Sequence, residues 1–175
     1  SISVNISPLH LQHPEFVSDL KKMIEQYPDF KAESLDFEIL ESSALKDFEL
    51  VSSVMKACSQ LGVSFSIDDF GTGYSSLTYL KRLPAKYLKI DQSFVRDMLI
   101  DSDDKAIVQG IIELAKIFNL KVIAEGVETP SHGELLMSLS SYIVQGYGIA
   151  KPMPARDILK WLVEWKQNPY LVDRS

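Results

Sequence analysis

Side chains that can bind metal ions or move protons follow apolar runs at six separate points of the sequence. Carboxylates dominate this set, which also holds two amides and a lysine. Carboxylate and amide oxygens are the ligands that hard divalent cations prefer, and crowded carboxylates repel one another unless cations neutralise them. We therefore expect Mg²⁺ or Mn²⁺ rather than zinc at this set. Its members are Asn5, Glu38, Glu41, Asp68, Asp69, Lys89, Asp91, Glu125, Glu128 and Gln145.

Each of these residues, taken alone, also has an ordinary structural explanation. Asn5 lies just before Ser7-Pro8 and could cap a helix or begin a turn. Glu38 could face solvent, and Lys89 could be a surface lysine with its ammonium in water. Gln145 precedes a glycine and could be a turn residue. The functional interpretation therefore rests on the joint pattern.

The segment DDFGTGYSSL at 68–77 carries the sharpest local signal. Neighbouring side chains of a strand point to opposite faces, so its two aspartates can serve one site only if the backbone turns there. Gly71 and Gly73 permit such a turn, and the serines that follow could cap a helix. The ordinary alternative is a turn that is rich in aspartate and contains glycines for conformational reasons only.

Strand-like patterns alternate with helix-like patterns along the whole chain, which favours parallel strands joined by helical crossovers. Either an open doubly wound sheet or most of an eight-stranded barrel would fit, although a complete barrel needs about 250 residues. In both, the carboxyl ends of the strands share one edge, where the polar residues would meet. The predicted strands are 2–6, 35–40, 63–68, 87–91, 121–125 and 142–146. Apolar stripes at helical spacing, expected to face the core, lie at 16–27, 51–61, 107–118, 135–139 and 158–165.

Composition excludes several classes of protein. The chain has 175 residues, with 24 acidic against 18 basic residues and a net charge of -6, which disfavours long nucleic acid as a partner. No window approaches the ~20 apolar residues of a membrane span. Cys58 is the one cysteine, so the chain has no internal disulfide and no cysteine-based zinc site, and we expect a cytoplasmic location. The sequence begins inside a strand pattern without a signal peptide, which suggests a piece of a longer protein.

Six segments, in order, resemble the EAL-domain family of bacterial phosphodiesterases, which hydrolyse cyclic di-GMP. The resemblance extends from about residue 2 to residue 165 and implies an α/β fold, a partial TIM-like (β/α) barrel with about six of eight strands. The matching segments are VNIS at 4–7, EILES at 38–42, DDFGTGYSSL at 68–77, LKID at 88–91, AEGVET at 124–129, and QGY at 145–147 followed by KPMP at 151–154.

The resemblance implies a role for each of these polar residues. Asn5, Glu38 and Asp68 resemble the ligands of a first metal ion. Asp68, Asp69 and Asp91 resemble the side that holds a second. Glu125 resembles a further metal-site carboxylate and a candidate base, and Lys89 the lysine near the attacking water. Gln145 and Glu128 would bind substrate or line the site. Glu41 and Thr72 would anchor the loop that follows the aspartates, which is also a dimerisation element of the family.

The sequence departs from the family in lacking the motif after which the family is named. The Glu-Ala-Leu tripeptide of the family's first strand, whose glutamate is a metal ligand, is absent from this sequence. We therefore assign residues 1–168 to the C-terminal two-thirds to three-quarters of an EAL domain and 169–175 to a tail. We expect this chain alone to be weak or inactive, because a hard cation loses affinity with each carboxylate ligand lost.

The function implied by the resemblance is metal-dependent hydrolysis of cyclic di-GMP to the linear dinucleotide pGpG, with two metal ions in the intact domain. Cyclic di-GMP would be the partner, and a homodimer is possible. Two alternatives remain open. The chain could be a catalytically silent receptor for the nucleotide, or a module whose helices dock another protein.

Overall fold

Six parallel strands form one sheet in which neighbours along the chain are also neighbours in space. This computed structural model describes residues 1–42, 47–73 and 77–166. The strands are β1 (Ile2–Asn5), β2 (Leu35–Leu40), β3 (Ser64–Phe70), β4 (Tyr87–Ile90), β5 (Lys121–Ala124) and β6 (Ile143–Val144). All six predicted strands are present, with ends that differ by up to two residues.

The helices lie between and after the strands. Three of them were not among the predicted stripes, because α1, α4 and α5 have only four to six residues and are too short to show a full helical period. The helices are α1 (Pro8–Leu11), α2 (Phe16–Gln26), α3 (Phe48–Gln60), α4 (Leu77–Arg82), α5 (Gln92–Asp97), α6 (Ser102–Ile117), α7 (Pro130–Ser138) and α8 (Ala155–Lys166). No helix in these described ranges is long and apolar enough to cross a membrane.

The strand order decides between the two architectures that the sequence left open. A doubly wound sheet reverses its strand order at a switch point, whereas this sheet runs from β1 to β6 without reversal. Right-handed crossovers in one constant direction place the helices on a single face of the sheet, as in a (β/α) barrel. The fold is therefore a partial barrel. Within the described residues, β1 and β6 each pair on one side only.

The two faces of the sheet differ in chemistry. On the helix side, side chains such as Phe65, Ile67, Leu88 and Ile90 are almost completely buried. The opposite face, which is the inner face of the partial barrel, carries polar residues on the same strands, because successive side chains alternate between faces. The core therefore lies between sheet and helices, and the polar side chains are left on the concave side.

Three of the predicted apolar stripes are not wholly in the core: Ile107 of α6 is exposed, and none of the described side chains of α8 is buried. In α2, Phe16 and Leu20 are buried but Met23 is exposed, and Ile158 and Leu162 of α8 are exposed as well. The prediction was wrong for these residues because helical spacing shows that a helix has an apolar face but does not show what covers it. The predicted tail at 169–175 lies outside the described residues.

Candidate active site

Lys89 lies at the centre of a cluster of carboxylates on the inner face of the sheet. Its Nζ is 2.7 Å from Glu38 Oε2, 2.9 Å from Asp68 Oδ1 and 2.8 Å from Glu125 Oε1. The lysine side chain is only 3% exposed, and the three carboxylate side chains are 9%, 12% and 17% exposed. Neither a surface lysine at 89 nor a solvent-facing Glu38 is compatible with this arrangement.

The register of the strands explains why these four residues meet. Glu38 in β2 pairs with Ser66 in β3, and Asp68 stands two residues further along on the same face. In the same way, Lys89 in β4 pairs with Ile123 in β5, and Glu125 follows two residues later. Side chains from distant parts of the sequence therefore project side by side at the carboxyl edge.

Asp68 and Asp69 reach the same site because the backbone turns between them. Asp69 has φ 54, in the left-handed region, and the pairing of β3 with β4 shifts between Ile67 and Phe70. The predicted turn therefore begins at Asp69 itself, two residues before Gly71, and β3 continues to Phe70. Carboxylate oxygens of Asp68, Asp69 and Glu125 all lie within 4.8 Å of one another, as a shared cation would require.

Asp91 stands beside this group. Its carboxylate caps α5 by accepting a hydrogen bond of 2.9 Å from the backbone N–H of Ser93. The pKa of Asp69 is raised, first by burial and then by the neighbouring charges of Asp68 and Asp91. The cluster is thus crowded with negative charge beyond what its lysine neutralises.

The lysine and the glutamate at its side influence each other's proton affinity. Burial raises the pKa of Glu125, and the hydrogen bond from Lys89 opposes this rise. Burial by itself would lower the pKa of Lys89, but the carboxylates of Glu125, Glu38 and Asp68 outweigh it, so the pKa lies above its usual value. Lys89 is therefore an ammonium at neutral pH and acts as a hydrogen-bond donor.

The donor set fits a hard divalent cation. Five carboxylates face one ammonium, so the formal charge is −5 + 1 = −4 when all are ionised, and all the candidate ligand atoms are oxygens. Burial makes such a charge costly unless cations compensate it. The carboxylates are Glu38, Asp68, Asp69, Asp91 and Glu125.

The remaining predicted residues lie at the margins of the cluster. Asn5 is exposed on β1, in register with Glu38 and therefore on the same face. Gln145 is exposed after β6, and its backbone N–H donates to the Ala124 carbonyl at 2.8 Å. Glu128 is exposed and pairs with Arg96 at 3.4 Å instead of with the Lys89 cluster.

Glu41 and Thr72 both hold the start of the loop after β3. The Oε2 atom of Glu41 accepts a hydrogen bond of 3.1 Å from the Gly71 backbone N–H, and the Thr72 hydroxyl donates to the Asp69 carbonyl at 2.9 Å. A Cβ on Gly73 would lie 3.1 Å from Glu41 Oε1, so the glycine allows the carboxylate to approach closely. The predicted serine caps at 75 and 76 lie outside the described residues.

Sequence reasoning missed His132, a buried residue of α7 that connects the segment after β5 to α5. The signal was present in the sequence Thr129-Pro130-Ser131-His132. Thr is a good N-cap residue, Pro is favoured at the first helical position, and a side chain at the third position can bond back to the cap. Histidine is not among the residues usually associated with this capping box.

The fold and the site define a (β/α)-barrel type of domain with an acidic, lysine-centred cluster at the carboxyl edge of its sheet. The family model of the EAL domain matches residues 1–152, and the chain belongs to this family. It is 43% identical over 159 residues to the bifunctional diguanylate cyclase/cyclic di-GMP phosphodiesterase MucR of Pseudomonas aeruginosa, a match that covers 91% of the chain and 23% of that protein. The chain spans about a quarter of the length of the curated relatives it matches.

Solved structures agree with this assignment. The PaMucR phosphodiesterase in complex with c-di-GMP has a TM-score of 0.85 at 42% identity, covering 90% of this chain and 64% of that one. The EAL domain of Mycobacterium smegmatis DcpA has a TM-score of 0.86 at 35% identity, covering 93% and 72%. The predictions of the family and of a partial barrel are confirmed.

Proposed function

We propose that this chain provides the acidic part of the active site of a cyclic di-GMP phosphodiesterase, which opens the cyclic dinucleotide to linear pGpG. The observation that carries the proposal is the Lys89 ammonium held at 2.7–2.9 Å by carboxylates from three other strand regions, with Asp69 and Asp91 beside them. Membership of the EAL family supports the substrate, since MucR is named for this activity and its structure was solved with c-di-GMP.

The cofactor in this proposal is Mg²⁺ or Mn²⁺, as a pair. Asp68, Asp69 and Glu125 would hold metal together with Asn5, Glu38 and Asp91, because these residues supply oxygen ligands on one face of the sheet. When bound, such ions activate water for attack and stabilise negative charge on phosphoryl oxygens.

The chain's own residues have separate tasks in this proposal. Lys89 donates hydrogen bonds that keep three mutually repelling carboxylates in place, which engages all three N–H groups of its ammonium, so it would orient a water molecule by exchanging one of these bonds. Glu125 is the candidate base, because burial raises its pKa above the ordinary value, which strengthens the carboxylate as a proton acceptor. Gln145 and Glu128 would border the substrate at the exposed rim.

Substitution of Asp68 by Asn tests the proposal while changing the shape of the side chain little. We expect Asp68→Asn to weaken Mn²⁺ binding and to lower turnover of cyclic di-GMP at least about 100-fold, since one carboxylate ligand is lost. Glu113→Gln is the matched control, because Glu113 lies exposed on α6 and pairs only with Lys116 among the described residues. Turnover by Asp68→Asn at the rate of the control would contradict the proposal, and nucleotide binding in EDTA without any turnover would instead indicate a receptor.

The chain of 175 residues should by itself turn over cyclic di-GMP slowly. In the described residues, the sheet has open edges at β1 and β6, and Asn5 and Gln145 at these edges are exposed. Open edges also favour association of copies through unpaired backbone groups. Turnover as fast as that of MucR, measured with Mn²⁺ on a preparation shown by light scattering to be monomeric, would refute this expectation.

A further inference from the structure

The segment that follows β5 is docked on helix α5. It begins at Glu125, and Asp91 is the N-cap residue just before α5, so the docking joins two parts of the proposed metal site. At Gly126 the approach is close, since a Cβ there would lie 2.8 Å from the Cβ of Gln92. One turn further along the helix, Arg96 Nε is 3.4 Å from Glu128 Oε1.

His132 adds a buried connection at the far end of this docking. Its Nδ1 accepts a hydrogen bond of 3.3 Å from the Thr129 backbone N–H and lies 2.7 Å from the Thr129 hydroxyl. Its Nε2 lies 3.0 Å from the carbonyl oxygen of Arg96 and must donate there, because a carbonyl can only accept. With Nδ1 accepting and Nε2 donating, the imidazole bridges the N-cap of α7 and the last turn of α5.

The three contacts differ in strength. The pair Arg96–Glu128 is about half exposed on both sides, and such pairs contribute little. The contact at Gly126 provides close packing but no directional bond. The bonds of His132 are directional and part-buried, on a residue that is 5% exposed, and the bond from Nε2 satisfies the Arg96 carbonyl in the last turn of α5, where carbonyls have no partner within the helix.

We infer that His132 is a positioning residue for the metal site, an inference that rests on the proposed function. By fixing the 125–129 segment to α5, its imidazole sets the separation between the carboxylates of Glu125 and Asp91. Both carboxylates lie at the start of the segments that it joins, and α5 is a short, stiff connection of about 9 Å at 1.5 Å per residue. Residues that orient metal ligands without binding the metal themselves commonly affect metal affinity about 10- to 100-fold.

Two amide substitutions in the full chain distinguish the effect of the hydrogen bond to the Arg96 carbonyl from the effect of the helix cap at Thr129. His132→Asn can still accept from Thr129 but is too short to reach the Arg96 carbonyl. His132→Gln has both an acceptor and a donor at nearly the reach of the imidazole. We expect His132→Asn to weaken Mn²⁺ binding, measured by titration calorimetry, about 10- to 100-fold and to lower kcat with little change in KM, and His132→Gln to restore both to within a few-fold of the wild type.

A stability control and a second variant make the result decisive. Leu136→Ala removes a buried core side chain from the same helix without touching the bridge, and it should lower the melting temperature while leaving Mn²⁺ affinity unchanged at temperatures where it is folded. His132→Phe, which fills the space without hydrogen bonds, takes the place of the Asn variant if that variant does not fold.

Equal Mn²⁺ affinity in His132→Asn and wild type, or an equal loss in Leu136→Ala, would overturn the inference. Failure of the proposed function would look different. A wild-type chain that binds cyclic di-GMP equally well in EDTA and in Mn²⁺, without any turnover, would refute the phosphodiesterase proposal and indicate a receptor, and the ratio of Mn²⁺ affinities among the variants would still decide the role of His132.

Discussion

Replacing Lys89 with Met removes the one ammonium of the carboxylate cluster and keeps most of the apolar stem. The three carboxylates that contact Lys89 then change, together with residue 89, from a net charge of −2 to −3, at sites that are less than a fifth exposed. Removing one partner of a buried ion pair typically costs about 3–5 kcal/mol. We therefore expect Lys89→Met to lower the free energy of unfolding by about that amount at pH 7.5 in EDTA.

The assay is urea or thermal unfolding followed by circular dichroism. For a domain of this size, 1 kcal/mol corresponds to about 2–4 °C, so the melting temperature should fall by about 6–20 °C. Divalent cations should recover part of the loss, because they compensate the same carboxylates. We expect Mn²⁺ to stabilise Lys89→Met more than it stabilises the wild type.

The loss should also depend on pH. The pKa of Glu125 is raised in the folded chain even with Lys89 present, and removal of the ammonium raises it further. A carboxyl group with a raised folded pKa destabilises the fold above that pKa and has no such effect below its unfolded value of about 4.3. The difference in stability between Lys89→Met and wild type should therefore shrink as the pH is lowered from 7.5 towards 4.5.

The control is Lys116→Met, since Lys116 contacts Glu113 at 2.8 Å but is about half exposed. Exposed pairs contribute about 0–1 kcal/mol, so this variant should remain close to the wild type. A Lys89→Met variant within 1 kcal/mol of the wild type in EDTA at pH 7.5 would refute the reasoning, because the carboxylates would then not depend on the ammonium.

Two further outcomes test packing elsewhere in the chain. Gly146→Ala should lower the free energy of unfolding by about 1–3 kcal/mol in thermal melts, because the new Cβ would lie 2.3 Å from the Val127 carbonyl oxygen. Gly110→Ala in α6, where a Cβ would meet no further atom of the described residues within 4 Å, should raise the free energy of unfolding by about 0.5–1 kcal/mol. The opposite order of stabilities would contradict the close packing at Gly146. Burial raises the pKa of the Cys58 thiol to about 11, so about one thiol in a thousand is ionised at pH 8. Iodoacetamide should therefore modify Cys58 in urea but not in the folded chain. Rapid modification without urea would contradict this expectation, because it would show that the thiol is accessible.

The sequence predicted much of the fold because most strands and helices have a recognisable local pattern of apolar and polar residues. Alternation of apolar runs with helical stripes predicted six strands, and all six are present with small changes at their ends. Helices such as α5 were missed because six residues do not complete two turns. The exposed stripe of α8 was assigned to the core because a pattern along one helix carries no information on its neighbours.

The candidate site was predictable in its members but not in its geometry. Motif resemblance identified Glu38, Asp68, Lys89 and Glu125, yet Glu38 and Lys89 could equally have faced water. Their contact depends on strand register, and a register shift of one residue would turn either side chain to the other face.

The sequence by itself therefore determined the composition of the acidic edge, the order of strands and helices, and the family of the chain, because these depend on residue types and their spacing. Only the tertiary structure decided that the sheet follows barrel order, that Asp69 turns the backbone so that both aspartates face one site, and that His132 joins the 125–129 segment to α5. The physical reason is that register, burial and hydrogen bonds between residues far apart in sequence are set by packing across the whole sheet, which no local stretch of the chain encodes.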